Sequence, residues 1–173
     1  VVITIALFAI LVLGVSQLYL VFGRTITEQS GAIRVTLGGS ALMDAVRSAG
    51  LQASHVVATH TFSGTPLASG ATAALFELPA VNASGSVIAN TYDYIGIYAE
   101  GAQAYRVIDG APGSVRLSGK KRLTDALDAL SFTYDNASFS AVTSFIAEAT
   151  TSVAVHGRIM QTHLREHMYL RNL

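Results

Sequence analysis

The first charged residue of the chain is Arg24, so the stretch Val1–Gly23 carries no ionised side chain. Its first part, Val1–Val15, is apolar on every side of a helix, whereas Ser16 and Gln17 dilute the remainder. About 20 apolar helical residues span the roughly 30 Å hydrocarbon core of a bilayer. We therefore expect this segment to enter a membrane. A cleaved signal peptide is a weaker alternative, because the apolar run exceeds the usual length and no A-x-A site follows it. A buried core helix is the other alternative.

The helical pattern continues through an amphipathic second part, residues 24–50, which contains no proline. An unbroken helix of this length would measure about 70 Å, twice the thickness of a bilayer, so its second part is expected to pack on a protein domain. Two apolar stripes at helical spacing predict this helix-to-head packing, and their members are Ile26, Ile33, Leu37, Leu42 and Val46. Gly31, Gly38 and Gly39 are expected to weaken or bend the helix, and Gly50 to end it.

The composition agrees with one apolar segment attached to one soluble domain. Charged residues form only 13 % of the 173 residues and the mean hydropathy is +0.46, an excess that the N-terminal stretch accounts for. The 11 basic and 11 acidic side chains balance, so no overall positive field points to nucleic acid, and none is expected as a partner. The chain has no cysteine, which excludes disulfides, redox CxxC motifs and thiolate metal sites.

Residues 51–173 are predicted to form a β-rich head, in which the stretches 61–70 and 79–85 are loops rich in Gly, Ser and Pro. A hairpin is predicted from Tyr92–Ala99 and Ala104–Ile108, joined by a turn at Glu100-Gly101. Leu123–Leu130 suits either a helical turn capped by Thr124 or a loop. The remaining predicted strands are Ala73–Leu78, Ser114–Leu117, Leu130–Tyr134, Val142–Ala147, Ser152–Val155 and His163–Arg171.

Residues with catalytic or metal-binding chemistry do not form a known motif in this sequence. His163 and His167 lie on a predicted strand, where a spacing of four places the two rings about 13 Å apart, too far to share a zinc ion. Asp125 and Asp128 lack a partner motif for acid–base catalysis. Neither a G-x-S-x-G nucleophile elbow nor a phosphate loop occurs. We therefore predict a protein that is not an enzyme, with no cofactor and no metal.

Other polar residues indicate surface features of the head. His55 and His60 are expected on the surface or in loops. The basic cluster Lys120-Lys121-Arg122 suits a solvated turn, or an electrostatic contact with an acidic neighbour or DNA. Asn82 and Asn136 each begin an N-x-S triplet in loop-like sequence and are candidate glycosylation acceptors.

The stretch VVITIALFAILVLGVSQLYL resembles the N-terminal helix of type IV pilins and type II secretion pseudopilins. Mature chains of that family open with Phe and carry an invariant Glu shortly after it. That motif is not among these residues, so no residue here is assigned to processing. Leu123–Leu127 followed by Leu130–Asp135 resembles a stretch of the minor pilins and J-type pseudopilins. The ending Met168–Asn172 resembles their terminal strand, which commonly closes in Arg-Asn.

The resemblance implies an α+β, pilin-like fold, with a long N-terminal helix packed on an antiparallel β-sheet head. It also implies a structural subunit that waits in the cytoplasmic (inner) membrane and then joins a cell-surface filament, with identical or homologous subunits and an assembly machinery as partners. A single-pass anchored extracytoplasmic binding or sensor domain is the alternative. The side chains expected in the filament core are Val1, Val2, Ile5, Leu7, Phe8, Ile10, Leu11, Leu13 and Val15.

Overall fold

The computed structural model describes residues 2–170, without the side chains of residues 2, 6 and 9. One long helix, α1 (Val2–Gln52, 51 residues), precedes a domain of mostly antiparallel β-strands. The α+β class expected from the sequence is therefore present. A single short 3-10 helix, Phe139–Ala141, interrupts the β domain within the described residues. The strands are β1 (His55–Val56), β2 (Thr59–Phe62), β3 (Thr65–Ala68), β4 (Ala73–Val81), β5 (Val87–Glu100), β6 (Gln103–Asp109), β7 (Gly119–Thr124), β8 (Leu127–Tyr134), β9 (Ser144–Val155) and β10 (Arg158–Tyr169).

The strands form two sheets and a separate two-stranded ribbon. A five-stranded sheet has the order β1-β4-β5-β6-β7, a three-stranded sheet has the order β10-β9-β8, and β2 pairs with β3. The predicted hairpin is confirmed by β5 and β6, in which Tyr98 pairs with Tyr105 and Glu100 with Gln103. Gly101 in its turn has φ +59°, a conformation that glycine adopts without strain.

Several of the sequence expectations for the β domain are wrong. Ser114–Leu117 is a loop, in which the Ser114 hydroxyl donates to the buried carboxylate of Asp93 and the Val115 amide donates to the Val81 carbonyl at the end of β4. The two strands predicted within residues 142–155 belong to the single strand β9. The stretch 61–70, expected to be a loop, contains the end of β2, a turn at Ser63 and Gly64 with φ values of 46° and 87°, and all of β3. The predicted loop 79–85 begins inside β4, which runs to Val81.

The segment Leu123–Leu130 contains no helical turn. β7 runs to Thr124 and β8 begins at Leu127, so only two residues lie between these strands. Thr124 does not cap a helix; its buried hydroxyl accepts a hydrogen bond from the Ala126 amide at 3.2 Å. The last predicted strand is present from Arg158 to Tyr169, and Arg171 lies outside the described residues.

The second half of α1 packs on both sheets through one of its two apolar stripes. Leu42 and Val46 are fully buried, in a core that includes Phe76 of β4 and Phe145 of β9. The buried hydroxyl of Thr151 donates to the Val35 carbonyl at 2.9 Å, which joins β9 to the helix backbone. The helix ends at Gln52 and not at Gly50, because Gly50 faces the ring of Phe145 inside the last turn.

The other predicted stripe does not pack on the head. Ile26, Ile33 and Leu37 are 60 %, 58 % and 64 % exposed, so their assignment to the helix-to-head contact is wrong. A helix can bury only the face that the sheet reaches, and here that face contains Gly31, Val35, Leu42 and further residues at the same spacing.

The glycines of the helix are packing positions on this buried face. A Cβ atom on Gly31 would come within 2.7 Å of Val155 Cγ2, and one on Gly39 within 3.2 Å of Thr151 Oγ1. A Cβ atom on Gly38 would overlap the hydroxyl of Thr124. The absence of side chains at these three positions therefore lets the helix backbone approach β7 and β9 closely.

We expect Gly38→Ala to lower the free energy of unfolding by about 1–3 kcal/mol, as overpacked cores do. This loss outweighs the roughly 1 kcal/mol that alanine contributes to an isolated helix. Gly23→Ala is the matched control, because nothing lies within 4 Å of a Cβ atom there. Urea unfolding of the full chain in mild detergent measures both variants. Equal urea midpoints for Gly38→Ala and Gly23→Ala would contradict the close approach of the helix backbone to Thr124.

Candidate functional site

The N-terminal half of α1 makes no packing contact that buries its apolar side chains. The residues predicted to lie in a filament core are each at least 61 % exposed where the structure describes them: Ile5, Leu7, Phe8, Ile10, Leu11, Leu13 and Val15. Val1 and the side chain of Val2 lie outside the described residues. By length and composition this helix could cross a membrane, and its most apolar window is 0 % buried. The alternative of a helix buried in the core of this chain is therefore wrong.

The exposed apolar surface extends past the first charged residue, Arg24. Phe22, Ile26, Ile33 and Leu37 are spaced by four, seven and four residues, so they share one face of the helix. We call these four residues the outer stripe. Each is at least 58 % exposed, and the last two lie beside a part of the helix whose opposite face is buried in the head. The sequence placed three of these residues in the wrong contact, although it identified them as one apolar face.

Two ion pairs flank the buried face and fix the helix on the sheets. Arg34 contacts Asp125 at 2.7 Å and Arg47 contacts Glu166 at 2.6 Å. The hydrogen bond from Arg34 lowers the pKa of the Asp125 carboxyl group, and the charge of the guanidinium adds to this effect. Both arginine side chains are more than half exposed, so solvent screens the two pairs and each adds little to stability. The buried face that they flank leaves the outer stripe on the side of the helix that faces away from the head.

The tip of the β9–β10 hairpin reaches the helix at the level of Gly23. A cavity of about 330 Å³ lies between His156 at this tip and Tyr19, Arg24 and Thr27 of the helix. His156 and Gly157 form the turn with φ values of 50° and 76°, a conformation that two-residue hairpin turns require. The head therefore extends along the helix down to the end of the uncharged segment.

The other candidate catalytic residues are dispersed in structural contacts. His163 and His167 lie on β10, paired in register with Thr150 and Ile146 of β9. Asp125 pairs with Arg34, whereas Asp128 accepts a hydrogen bond from Gln161 at 3.1 Å. No group of three or more metal-ligating side chains occurs within residues 2–170.

His60 occupies a different environment from the one expected for a surface histidine. Its ring stacks on Tyr94 with centroids 3.8 Å apart, and its Nε2 atom lies 2.8 Å from Asp109 Oδ2. The Tyr94 hydroxyl donates to Glu77 at 2.9 Å, and Glu77 lies 3.4 Å from His55 Nε2. Burial, followed by the hydrogen bond to Glu77, raises the pKa of Tyr94 to about 12. This series of polar side-chain contacts holds the β2–β3 ribbon on the five-stranded sheet.

The basic cluster Lys120-Lys121-Arg122 lies on strand β7 and not in a turn. Lys120 pairs with Glu100 at 3.0 Å and lies 3.9 Å from the ring centre of Tyr105. The other two cations form no ion pair with a described carboxylate.

The two candidate glycosylation acceptors lie in loops, as expected. The Asn82 side chain accepts hydrogen bonds from the Ser84 and Ser86 amides, at 3.1 Å and 2.9 Å. Asn136 is exposed and accepts from the Ser138 amide at 2.9 Å. Both side chains therefore stabilise the turns that they begin.

Comparison with known proteins identifies no relative of this chain. No family model matches the chain, and no curated protein and no solved structure matches it. Fold and site together define an α+β protein that carries a long, laterally exposed apolar helix on a β-sheet head.

Proposed function

We propose that this chain is a structural subunit of a type IV pilus or of a pseudopilus-like extracellular filament, assembled through its apolar N-terminal helix. The outer stripe is the observation that carries the proposal. A membrane accounts for the apolar side chains up to Phe22, because about 20 helical residues cover its hydrocarbon core. Ile33 and Leu37 lie about 16–22 Å further along the helix, where neither lipid nor the head covers them.

A helix-to-helix contact between subunits explains both parts of this surface at once. Within the bilayer the apolar side chains contact lipid, and in a filament they contact the helices of neighbouring subunits. The outer stripe continues that contact alongside the head. An exposed apolar stripe next to a folded domain usually marks an interaction surface. Before assembly the subunit resides in the inner membrane, and after assembly it forms part of a cell-surface filament.

The architecture supports the same proposal. A long helix whose second half packs on mostly antiparallel sheets is what a pilin-like fold, implied by the sequence resemblance, would require. The partners are identical or homologous subunits together with an assembly machinery. The contrasting proposal, a single-pass anchored sensor domain, gives the outer stripe no partner, because an anchor requires no apolar surface beyond the bilayer.

We expect the double substitution Ile33→Ser, Leu37→Ser to abolish filament assembly while membrane levels of the subunit stay normal. The two side chains are more than half exposed in the monomer, so their loss leaves the folded head unchanged. Ile159→Ser is the matched control, because Ile159 is 77 % exposed but belongs to strand β10 and not to the outer stripe of the helix. Sheared-filament yield by electron microscopy, beside a membrane-fraction blot from the native host, measures the effect.

Cross-linking provides a second readout of the same contact. The chain has no cysteine, so Leu37→Cys introduces the single thiol of each subunit. A bifunctional maleimide should join Leu37→Cys subunits in filaments, and Ile159→Cys subunits much less. Normal filament yield from the double serine variant, together with equal cross-linking at both positions, would exclude the outer stripe from the assembly contact.

A further inference from the structure

A second surface of the head has a chemistry that the filament proposal does not use. A groove of about 250 Å³ runs between the second half of α1 and the strand pair β6–β7. Its strand side carries three cations, Arg106, Lys121 and Arg122, and its helix side includes Asp44 and Ser48. We call this feature the basic groove.

Arg106 is the unusual member of the basic groove. Its Nε atom is buried and has no hydrogen-bond partner among the described residues. A buried N–H group that has lost its water without gaining an acceptor is unfavourable by about 1–3 kcal/mol, and more when the group is charged. Arg106 is therefore a cation whose charge the described residues leave uncompensated.

The strand register adds a second unfavourable feature at the same place. Arg106 on β6 pairs directly with Lys121 on β7, and like charges opposite each other destabilise a strand pair. None of the three cations forms an ion pair with a described carboxylate. The one carboxylate lining the groove, Asp44, is held by Arg47 at 3.0 Å. The two paired cations, Arg106 and Lys121, therefore share the groove with a single acid that is already paired.

We propose that the basic groove is an oxyanion-binding site whose ligand is a phosphate group on a small molecule. Phosphate carries a charge of about −1.5 to −2 at neutral pH and presents three or more acceptor oxygens, so it can compensate the charge of the Arg106 guanidinium and of the neighbouring Lys121 together. A carboxylate has one charge and two oxygens, which leaves the Arg106–Lys121 repulsion only partly compensated. The Ser48 hydroxyl lines the groove as a further donor.

The position of the groove restricts the source of the phosphate. Asp44 lies 21 residues beyond Gly23, so the groove is roughly 30 Å along the helix from the end of the uncharged segment. Phospholipid headgroups of the membrane that holds the helix cannot reach it. The ligand therefore comes from solution, and the site does not depend on whether the chain assembles into filaments.

The test is a titration of the full chain in detergent with inorganic phosphate, at constant ionic strength. The side-chain Nε–H signal of Arg106 in a ¹⁵N-labelled sample reports binding of a ligand beside this guanidinium. We expect a saturable shift of this signal with phosphate and a weaker one with acetate. Arg106→Gln and Lys121→Gln should each weaken phosphate binding by about tenfold, as expected for the loss of one charge-assisted contact.

Arg158→Gln is the matched control, because it removes one cation from the β9–β10 tip and leaves the groove intact. It should change phosphate affinity less than about twofold, since exposed charges at a distance are screened by salt. If Arg106→Gln fails to fold, the exposed Lys121 still provides the test. A linear, unsaturable response, equal affinity for acetate, or equal weakening by Arg158→Gln would overturn the proposal.

Discussion

Replacing Arg116 by methionine is expected to lower the free energy of unfolding by about 3–5 kcal/mol, the usual loss when one member of a buried ion pair is removed. The partner of Arg116 is Asp93, whose side chain is 0 % exposed and lies 2.6 Å away. Without the guanidinium, a buried carboxylate would keep only the Ser114 hydroxyl and the Ala111 amide as donors. Urea unfolding of the full chain in detergent, followed by tyrosine fluorescence, measures the loss.

The same arginine connects three parts of the fold, which adds to the effect. One of its nitrogens donates to the Pro79 carbonyl at 2.8 Å and another donates to Gln52 Oε1 at 2.8 Å. The pair therefore ties β4 and β5 to the last turn of α1. Asp93→Asn added to Arg116→Met should recover part of the lost stability, because the second substitution removes the uncompensated charge.

Arg165→Met is the matched control for this prediction. Arg165 pairs with Glu148 at 3.0 Å, but its side chain is 61 % exposed, and exposed pairs contribute at most about 1 kcal/mol. Equal losses for Arg116→Met and Arg165→Met would show that burial does not distinguish the two pairs. A double variant less stable than Arg116→Met alone would exclude the buried carboxylate as the cause.

Without the uncharged segment the chain is expected to be soluble in water, whereas the full chain is expected to require detergent. A chain that begins at Thr25 lacks the exposed apolar residues of the first helical half and keeps every residue whose side chain is buried in the head. It should remain in aqueous solution as a folded, β-rich monomer, because the apolar segment makes no contact that the head needs. Ultracentrifugation without detergent and far-UV circular dichroism measure both properties.

The control is the full chain, which should sediment with membranes and require detergent for extraction. An insoluble and unfolded shortened chain, beside a full chain that folds in detergent, would contradict the division between the segment and the head. A soluble shortened chain that self-associates would indicate that the outer stripe binds another copy without the membrane segment. Adding Ile33→Ser and Leu37→Ser should then restore the monomer.

The helix was predictable because its determinants are local. Helical spacing of apolar residues and the absence of proline act over a few positions, so they can be read directly from residues 1–50. The end of the helix was misplaced by two residues, because Gly50 resembles a helix stop but instead contacts the ring of Phe145. That contact joins residues 95 positions apart, which no local pattern shows.

The choice between the two apolar stripes was not predictable from hydrophobicity alone. Each stripe contains large aliphatic residues, and either could pack on a sheet. The glycines could have indicated which stripe is buried, since Gly31 and Gly39 share a face of the helix with Val35 and Leu42. A sheet approaches a helix most closely where side chains are absent, so the glycine-containing stripe becomes the buried one.

The sequence by itself determined an uncharged N-terminal helical segment, a β-rich head and the hairpin of β5 and β6, because apolar spacing and turn residues are local properties. Only the tertiary structure decided which side of the helix stays exposed, and it alone placed Arg106 opposite Lys121 beside the helix. Strand register and the approach of a helix to a sheet depend on contacts between distant residues. Which charges are buried and which are paired depends on those contacts, so the sequence alone does not show it.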